Sequence, residues 1–86
     1  MRHFTSRRFW QRFDALPADI QHLARRHYAL LKQDPVHPSL HFKPVRAGQF
    51  RSIRIGLHYR ALGVPVPEGV QWFWIGTHAE YDRLLA

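Results

Sequence analysis

Hydrophobic positions fall first into two helical stretches and then into several strand-like ones. Phe9, Trp10, Phe13 and Leu16 recur at offsets of one, four and seven, which puts them on one helical stripe and leaves Arg7, Arg8, Gln11 and Arg12 on the other side. Thr5 or Ser6 is placed to cap this helix. Pro17 ends it, because proline disfavours helix at the preceding residue while fitting the first turn of a new one. Asp19 then lies in that first turn, where its charge complements the helix dipole. In the second helix Ile20, Leu23, Ala24, His27, Tyr28, Leu30 and Leu31 follow the 3.6-residue period. Gln21, His22, Arg25, Arg26, Lys32 and Gln33 are left for water. Pro35 and Pro38 stop the helix, and the two helices should form an antiparallel hairpin.

From Leu40 the period becomes two. Leu40 to Lys43 alternates, as does Ile53-Arg54-Ile55, and His58 to Val64 is strand-like beyond a turn at Gly56. Pro65 to Gly69 reads as a second, longer turn. Val70 to Ile75 is apolar on both parities, as expected of a central strand covered on both faces. Thr77-His78-Ala79-Glu80 has the form of a capping box and opens a short helix in which Tyr81, Leu84 and Leu85 share a face. Residues 1–5 suit a brief edge strand or an irregular lead-in equally well. The expectation is a single α+β domain over residues 1–86: a helical hairpin packed on an antiparallel sheet of about four strands, with a short C-terminal helix.

Composition narrows the chemistry. The chain has 86 residues, no cysteine and a formal charge of +7. A disulfide framework, a thiolate metal site and a cysteine nucleophile are excluded. The charge points to an anionic partner. No apolar run is long enough to span a membrane. The Arg-rich opening lacks the apolar segment of a signal peptide; it faintly resembles a transit peptide, but its aromatics are needed in the core, so a cytoplasmic location is expected.

The charge is also unevenly placed. No acid occurs between Asp34 and Glu68, a stretch that holds Lys43, Arg46, Arg51, Arg54 and Arg60. Arg54 alternates against Ile53 and Ile55, and Arg60 lies in the next strand across a short hairpin. Two guanidiniums side by side cost stability unless an anion lies between them. His41 and His58 add donors or proton carriers to the region. Either this is a solvated basic face, or it binds nucleic acid or an acidic protein.

None of the seven histidines has the spacing of a metal site, so no metal or other cofactor is expected. His27 falls on the apolar stripe of the second helix as a packed structural residue, whereas His3, His22 and His37 read as exposed and idle. His78 follows a buried strand, with Tyr81 three residues on along the same helical face. The two form either an acid–base pair beside the arginines or a helix-end hydrogen bond and a packing residue.

The segment Phe50 to Leu62 (FRSIRIGLHYRAL) resembles the central hairpin of the RelE/ParE superfamily of toxins from type II toxin–antitoxin systems. Leu16-Pro17-x-x-Ile20 and the later Asp34-Pro35 and His37-Pro38-Ser39-Leu40 are similar to the family's second helix and following turn. Trp72 to Leu85 (WFWIGTHAEYDRLL) resembles the last strand and C-terminal segment of its ParE-like or HigB-like branch.

The resemblance implies a helical hairpin against a curved antiparallel sheet, and two very different activities. RelE-like members are metal-independent endoribonucleases that cut mRNA on the ribosome and halt translation; ParE-like members inhibit DNA gyrase and cleave nothing. An inactive homologue that only binds its antitoxin is a third possibility. By position, Arg54 and Arg60 match the residues that hold the scissile phosphate in the nucleases, while His78 and Tyr81 match the end of the last strand and the C-terminal aromatic. Ser52 stands where some RelE-like members have lysine, and His78 where arginine is commoner. Lys43, Arg46, Arg51 and His58 are the expected nucleic-acid contacts, and a small acidic or amphipathic antitoxin is the expected partner.

Overall fold

In a computed structural model covering residues 1–86, the chain runs β1 (Arg2–Thr5), α1 (Arg7–Asp14), α2 (Ala18–Gln33), a 3₁₀ turn (Pro38–Leu40), β2 (Lys43–Val45), β3 (Phe50–Ile55), β4 (Tyr59–Val66), β5 (Gly69–Thr77) and α3 (His78–Leu85). Ser6 caps α1, its side chain accepting from the Phe9 amide at 3.2 Å. The helical hairpin is present but uneven, eight residues against sixteen. Gln21 Nε2 ties the start of α2 to the carbonyls of Phe13 and Leu16, and Arg25 lies over the Phe13 ring at 4.9 Å. α1 packs on β5 and α2 over β3, leaving an apolar cleft of about 170 Å³ between them.

The sheet has five strands in the order β1-β5-β4-β3-β2, one more than expected, and it is mixed rather than wholly antiparallel. β1 runs parallel to β5, from Arg2 opposite Gly69 to Thr5 opposite Trp72. A segment of four residues is too short to show a period of its own; only a partner at the far end of the chain makes it a strand.

Two further expectations shift. Leu40 to Lys43 is not a strand: Leu40 ends the 3₁₀ turn fully buried, His41 turns left-handed, and pairing begins only at Lys43. The alternation there reflects Leu40 and Phe42 reaching the core from irregular backbone. The turn at Pro65 to Gly69 shrinks to Pro67 and Glu68, because β4 runs on to Val66. Pro65 is tolerated since β3 pairs no further than Gly63, so no amide is required on that side.

The faces of the sheet are unequal. Ile53, Ile55, Ala61, Val70, Trp72 and Ile75 meet Phe9, Phe13, Ala24, Leu31 and Leu40 in one core under the helices. On the other face Leu62, Trp74 and Tyr81 make a smaller cluster beneath α3. A bulge between Leu62 and Gly63, opposite Trp72 to Trp74, leaves Phe73 without a direct partner and bends the sheet between these two packings.

Candidate functional site

Arg54 and Arg60 are direct cross-strand partners on β3 and β4, on the face opposite the main core. Neither forms an ion pair, because the molecule's two ion pairs are Arg12–Glu80 and His78–Asp82. Arg54 Nε donates to the Gly56 carbonyl at 3.0 Å, and its Nη1 lies 3.4 Å from His41 Nε2. Arg60 Nη1 donates to the Tyr59 carbonyl at 2.8 Å. Burial and then the neighbouring Arg54 charge lower the proton affinity of Arg60, with Tyr81 and Asp82 acting the other way. The two cations thus keep most of their donors free for an anion.

α3 brings the remaining groups to this pair. Thr77 and Glu80 form the expected capping box, with Thr77 Oγ1 accepting from the Glu80 amide at 3.2 Å and Glu80 Oε1 from the Thr77 amide at 3.0 Å. These Thr77 hydrogen bonds, with a smaller part from Arg12, hold the Glu80 carboxyl below its ordinary range. The His78 amide donates to the His58 carbonyl at 2.7 Å, fixing the start of α3 to the β3–β4 turn. His78 Nε2 then lies 3.3 Å from Asp82 Oδ1. Gly76 faces Arg60 across the strands, and a Cβ there would come within 2.9 Å or less of Trp74, Arg12 and Glu80.

Tyr81 is buried against Trp74 and Leu62, its ring centre 6.3 Å from that of His78. It shares the region of Arg60 as a packing residue whose aromatic body supports the site. Lys43 is exposed on the same face at the sheet edge, opposite Ser52. His58 lies exposed beside His78, where His58, Thr77, His78 and Asp82 line an open depression. Arg46 reaches the Leu85 carbonyl at 3.5 Å, at the far end of α3. Arg51 has the parity of Ile53 and Ile55, faces away from Arg54, and donates to Gly48 and Phe50 carbonyls. The structure therefore gathers Arg54, Arg60, His78 and Tyr81, flanks them with Lys43 and His58, and separates Arg46 and Arg51.

Three side chains have more to do than their spacing suggests. His3 is half-buried, stacked on Trp72 and accepting from its Nε1 at 3.1 Å, so it is not idle. His37 caps the 3₁₀ turn by accepting from the Ser39 amide at 3.2 Å. Arg12, on the polar side of α1, reaches past the end of β1 to the uncovered edge of β5. There it donates to the Ile75 carbonyl at 2.8 Å, pairs with Glu80 at 3.2 Å, and lies over Trp74 at 5.0 Å. No local pattern marks this residue, because its partners are 63 and 68 residues away. His27 behaves as expected, half-buried with Nδ1 3.0 Å from the Leu23 carbonyl.

Such an arrangement can hold a phosphodiester and move protons beside it. The fold around it is that of RelE/ParE-type toxins. The RelB–RelE antitoxin–toxin complex from Methanococcus jannaschii matches with a TM-score of 0.70 at 11% identity, over 96% of this chain and 99% of that one. A copper-bound mutant toxin from Helicobacter pylori matches at 0.64 and 16% identity, over 93% and 97%. No curated protein matches the sequence. The model of the ParE-like toxin domain matches residues 18–83, and the chain belongs to that family. No helix is long and apolar enough to cross a membrane.

Proposed function

We propose that this chain is the toxin of a type II toxin–antitoxin system and acts as a ribosome-dependent, metal-independent mRNA endoribonuclease, restrained by a small acidic or amphipathic antitoxin. The observation that carries the reading is the Arg54–Arg60 pair: two guanidiniums in register with no ion pair, His41 beside Arg54, and Tyr81 and Asp82 of the helix that His78 opens within electrostatic reach of Arg60. A scissile phosphate between the two guanidiniums removes their mutual repulsion and receives charge-assisted hydrogen bonds. Attack by the ribose 2′-oxygen on that phosphate needs one group to take the hydroxyl proton and another to protonate the leaving 5′-oxygen. His78 serves in proton transfer, Tyr81 shapes the floor of the site, and Lys43 with His58 contacts flanking RNA. Arg46 reaches RNA only at the far end of α3, and Arg51 lies outside the site.

In a purified translation reaction the chain is expected to cut ribosome-bound mRNA without added metal beyond what translation requires. Arg60→Gln is expected to lower cutting by about 10²–10³-fold, the usual cost of removing one donor to developing charge. Intact mRNA with the wild-type chain sinks the reading. The match to the ParE-like family favours a second reading, inhibition of DNA gyrase by protein–protein contact. Stabilised DNA breaks in a supercoiling assay, with mRNA untouched, would establish it instead.

A further inference from the structure

The geometry points to His41 as the general base of this site and His78 as its general acid, an assignment that rests on the nuclease reading above. His41 is fixed although its ring is exposed. Leu40 before it is fully buried, Phe42 after it packs near Trp72 with ring centres 6.3 Å apart, and its own backbone is left-handed at φ 46° and ψ 43°. A non-glycine residue adopts that conformation only where its neighbours hold it. Here they turn the imidazole onto Arg54 at the edge of the arginine pair.

Hydrogen-bonding roles then separate the two histidines. A guanidinium can only donate, so His41 Nε2, 3.4 Å from Arg54 Nη1, is the acceptor and carries a lone pair. A carboxylate can only accept, so His78 Nε2, 3.3 Å from Asp82 Oδ1, is the donor there; as general acid it acts in its imidazolium form, with Asp82 as the counter-charge. The groups facing each are unlike: Arg54 from β3 with Arg60 behind it on β4 at His41, and Asp82 and Tyr81 on α3 with the β3–β4 turn residue His58 at His78. On this assignment the imidazole beside Arg54 takes a proton and the imidazole at the start of α3 gives one.

When RNA binds, Arg54 turns from His41 to a non-bridging phosphate oxygen, which frees the Nε2 lone pair. His41 takes the 2′-hydroxyl proton as the 2′-oxygen bonds to phosphorus. The bond from phosphorus to the 5′-oxygen breaks with its electron pair on oxygen, and that oxygen takes a proton from the His78 imidazolium. The products are a 2′,3′-cyclic phosphate and a 5′-hydroxyl. His41 is left protonated and His78 neutral, and exchange with water resets both.

The test measures single-turnover cleavage of ribosome-bound mRNA across pH for wild type, His41→Ala, His41→Gln and His78→Ala, with ribosome binding and thermal unfolding of each. Wild type should show a bell-shaped profile, as a site with one base and one acid does. His41→Ala should cut about 10²–10⁴-fold more slowly. It should lose the acidic limb, keep ribosome binding and unfolding temperature, and regain part of its rate with added imidazole. His78→Ala should lose the alkaline limb. His41→Gln keeps an acceptor for Arg54 but no usable proton affinity, so it should be as slow as His41→Ala. Near-wild-type cleavage by His41→Gln would overturn the assignment, leaving His41 a holder of Arg54. Wild-type cutting with an unchanged profile in His41→Ala would overturn it while the nuclease reading stands. Uncut mRNA with the wild-type chain removes both.

Discussion

The two faces of the sheet use similar residues to opposite ends. Under α1 and α2 the strands contribute Ile53, Ile55, Ala61, Trp72 and Ile75 to an eleven-residue core. On the other face only Leu62, Trp74 and Tyr81 form a buried apolar cluster, and beside them the Arg54–Arg60 pair stands with no ion-pair partner. Apolar burial at roughly 25 cal/mol per Å² makes the first face the source of stability. The second spends some of it, because like charges in register repel. The division teaches where function sits: on the face that folding needs least.

The largest effect that sharpens this comparison comes from its two tryptophans, two residues apart and pointing to opposite faces. Trp72→Ala should destabilise the domain by about 3–5 kcal/mol, the usual cost of truncating a buried aromatic. Against a total of roughly 5–15 kcal/mol this brings it close to unfolding. Trp74→Ala should fall at the low end of that range, since its cluster holds three buried residues and borders open solvent. Urea unfolding of both variants measures the difference. An equal or larger loss at Trp74 would mean that the outer face is no lesser core.

A middle-sized effect tests how the two faces are joined. Arg12 leaves α1, rounds the free edge of β5 and ends against Trp74 and Glu80 on the outer side. A hydrogen bond, a half-exposed ion pair and a cation–π contact together give an expected loss of about 1–2 kcal/mol for Arg12→Ala. The loss should concentrate in α3: amide exchange should rise at Glu80 and Tyr81 while Ile53 and Ala61 stay protected. Uniform acceleration across the sheet would show that Arg12 supports the whole fold rather than the clasp.

What could be read from the sequence divides along the same line. α2, β5 and the capping box were legible because each is written in consecutive residues: a 3.6-residue period, a continuous apolar run, and Thr77 three residues before Glu80. The facing of Arg54 and Arg60 followed from strand alternation across a short hairpin. β1, Arg12 and His3 were not legible, since each takes its role from a residue more than sixty positions away. In the sequence His41 stands only as a donor or proton carrier near the basic zone, within a stretch that alternates like a strand. The buried Leu40 and the left-handed turn after it replace that strand and aim the ring at Arg54.

The smallest effect concerns His3, which closes the covered face at the sheet edge. Trp72 Nε1 is a donor only, so His3 Nδ1 must keep its lone pair and the imidazole must stay neutral in the fold. Burial lowers its proton affinity, and the N-terminal ammonium and Lys32 add to the effect. In the unfolded chain an unperturbed histidine titrates near ~6.5. With the folded value below that, the unfolded state binds more protons in the interval between them, and stability rises with pH there. The contribution of neutral His3 is thus complete above about pH 6.5. It is lost as pH falls through the lowered folded value. His3→Gln keeps an acceptor for the indole but cannot titrate, so its unfolding temperature should fall less than that of wild type between pH 7.5 and 5. Glu80 contributes its own loss at lower pH in both proteins and cancels in the comparison. Parallel pH curves for the two would show that protonating His3 costs the fold nothing, and that β1 is held by its backbone pairing with β5 alone.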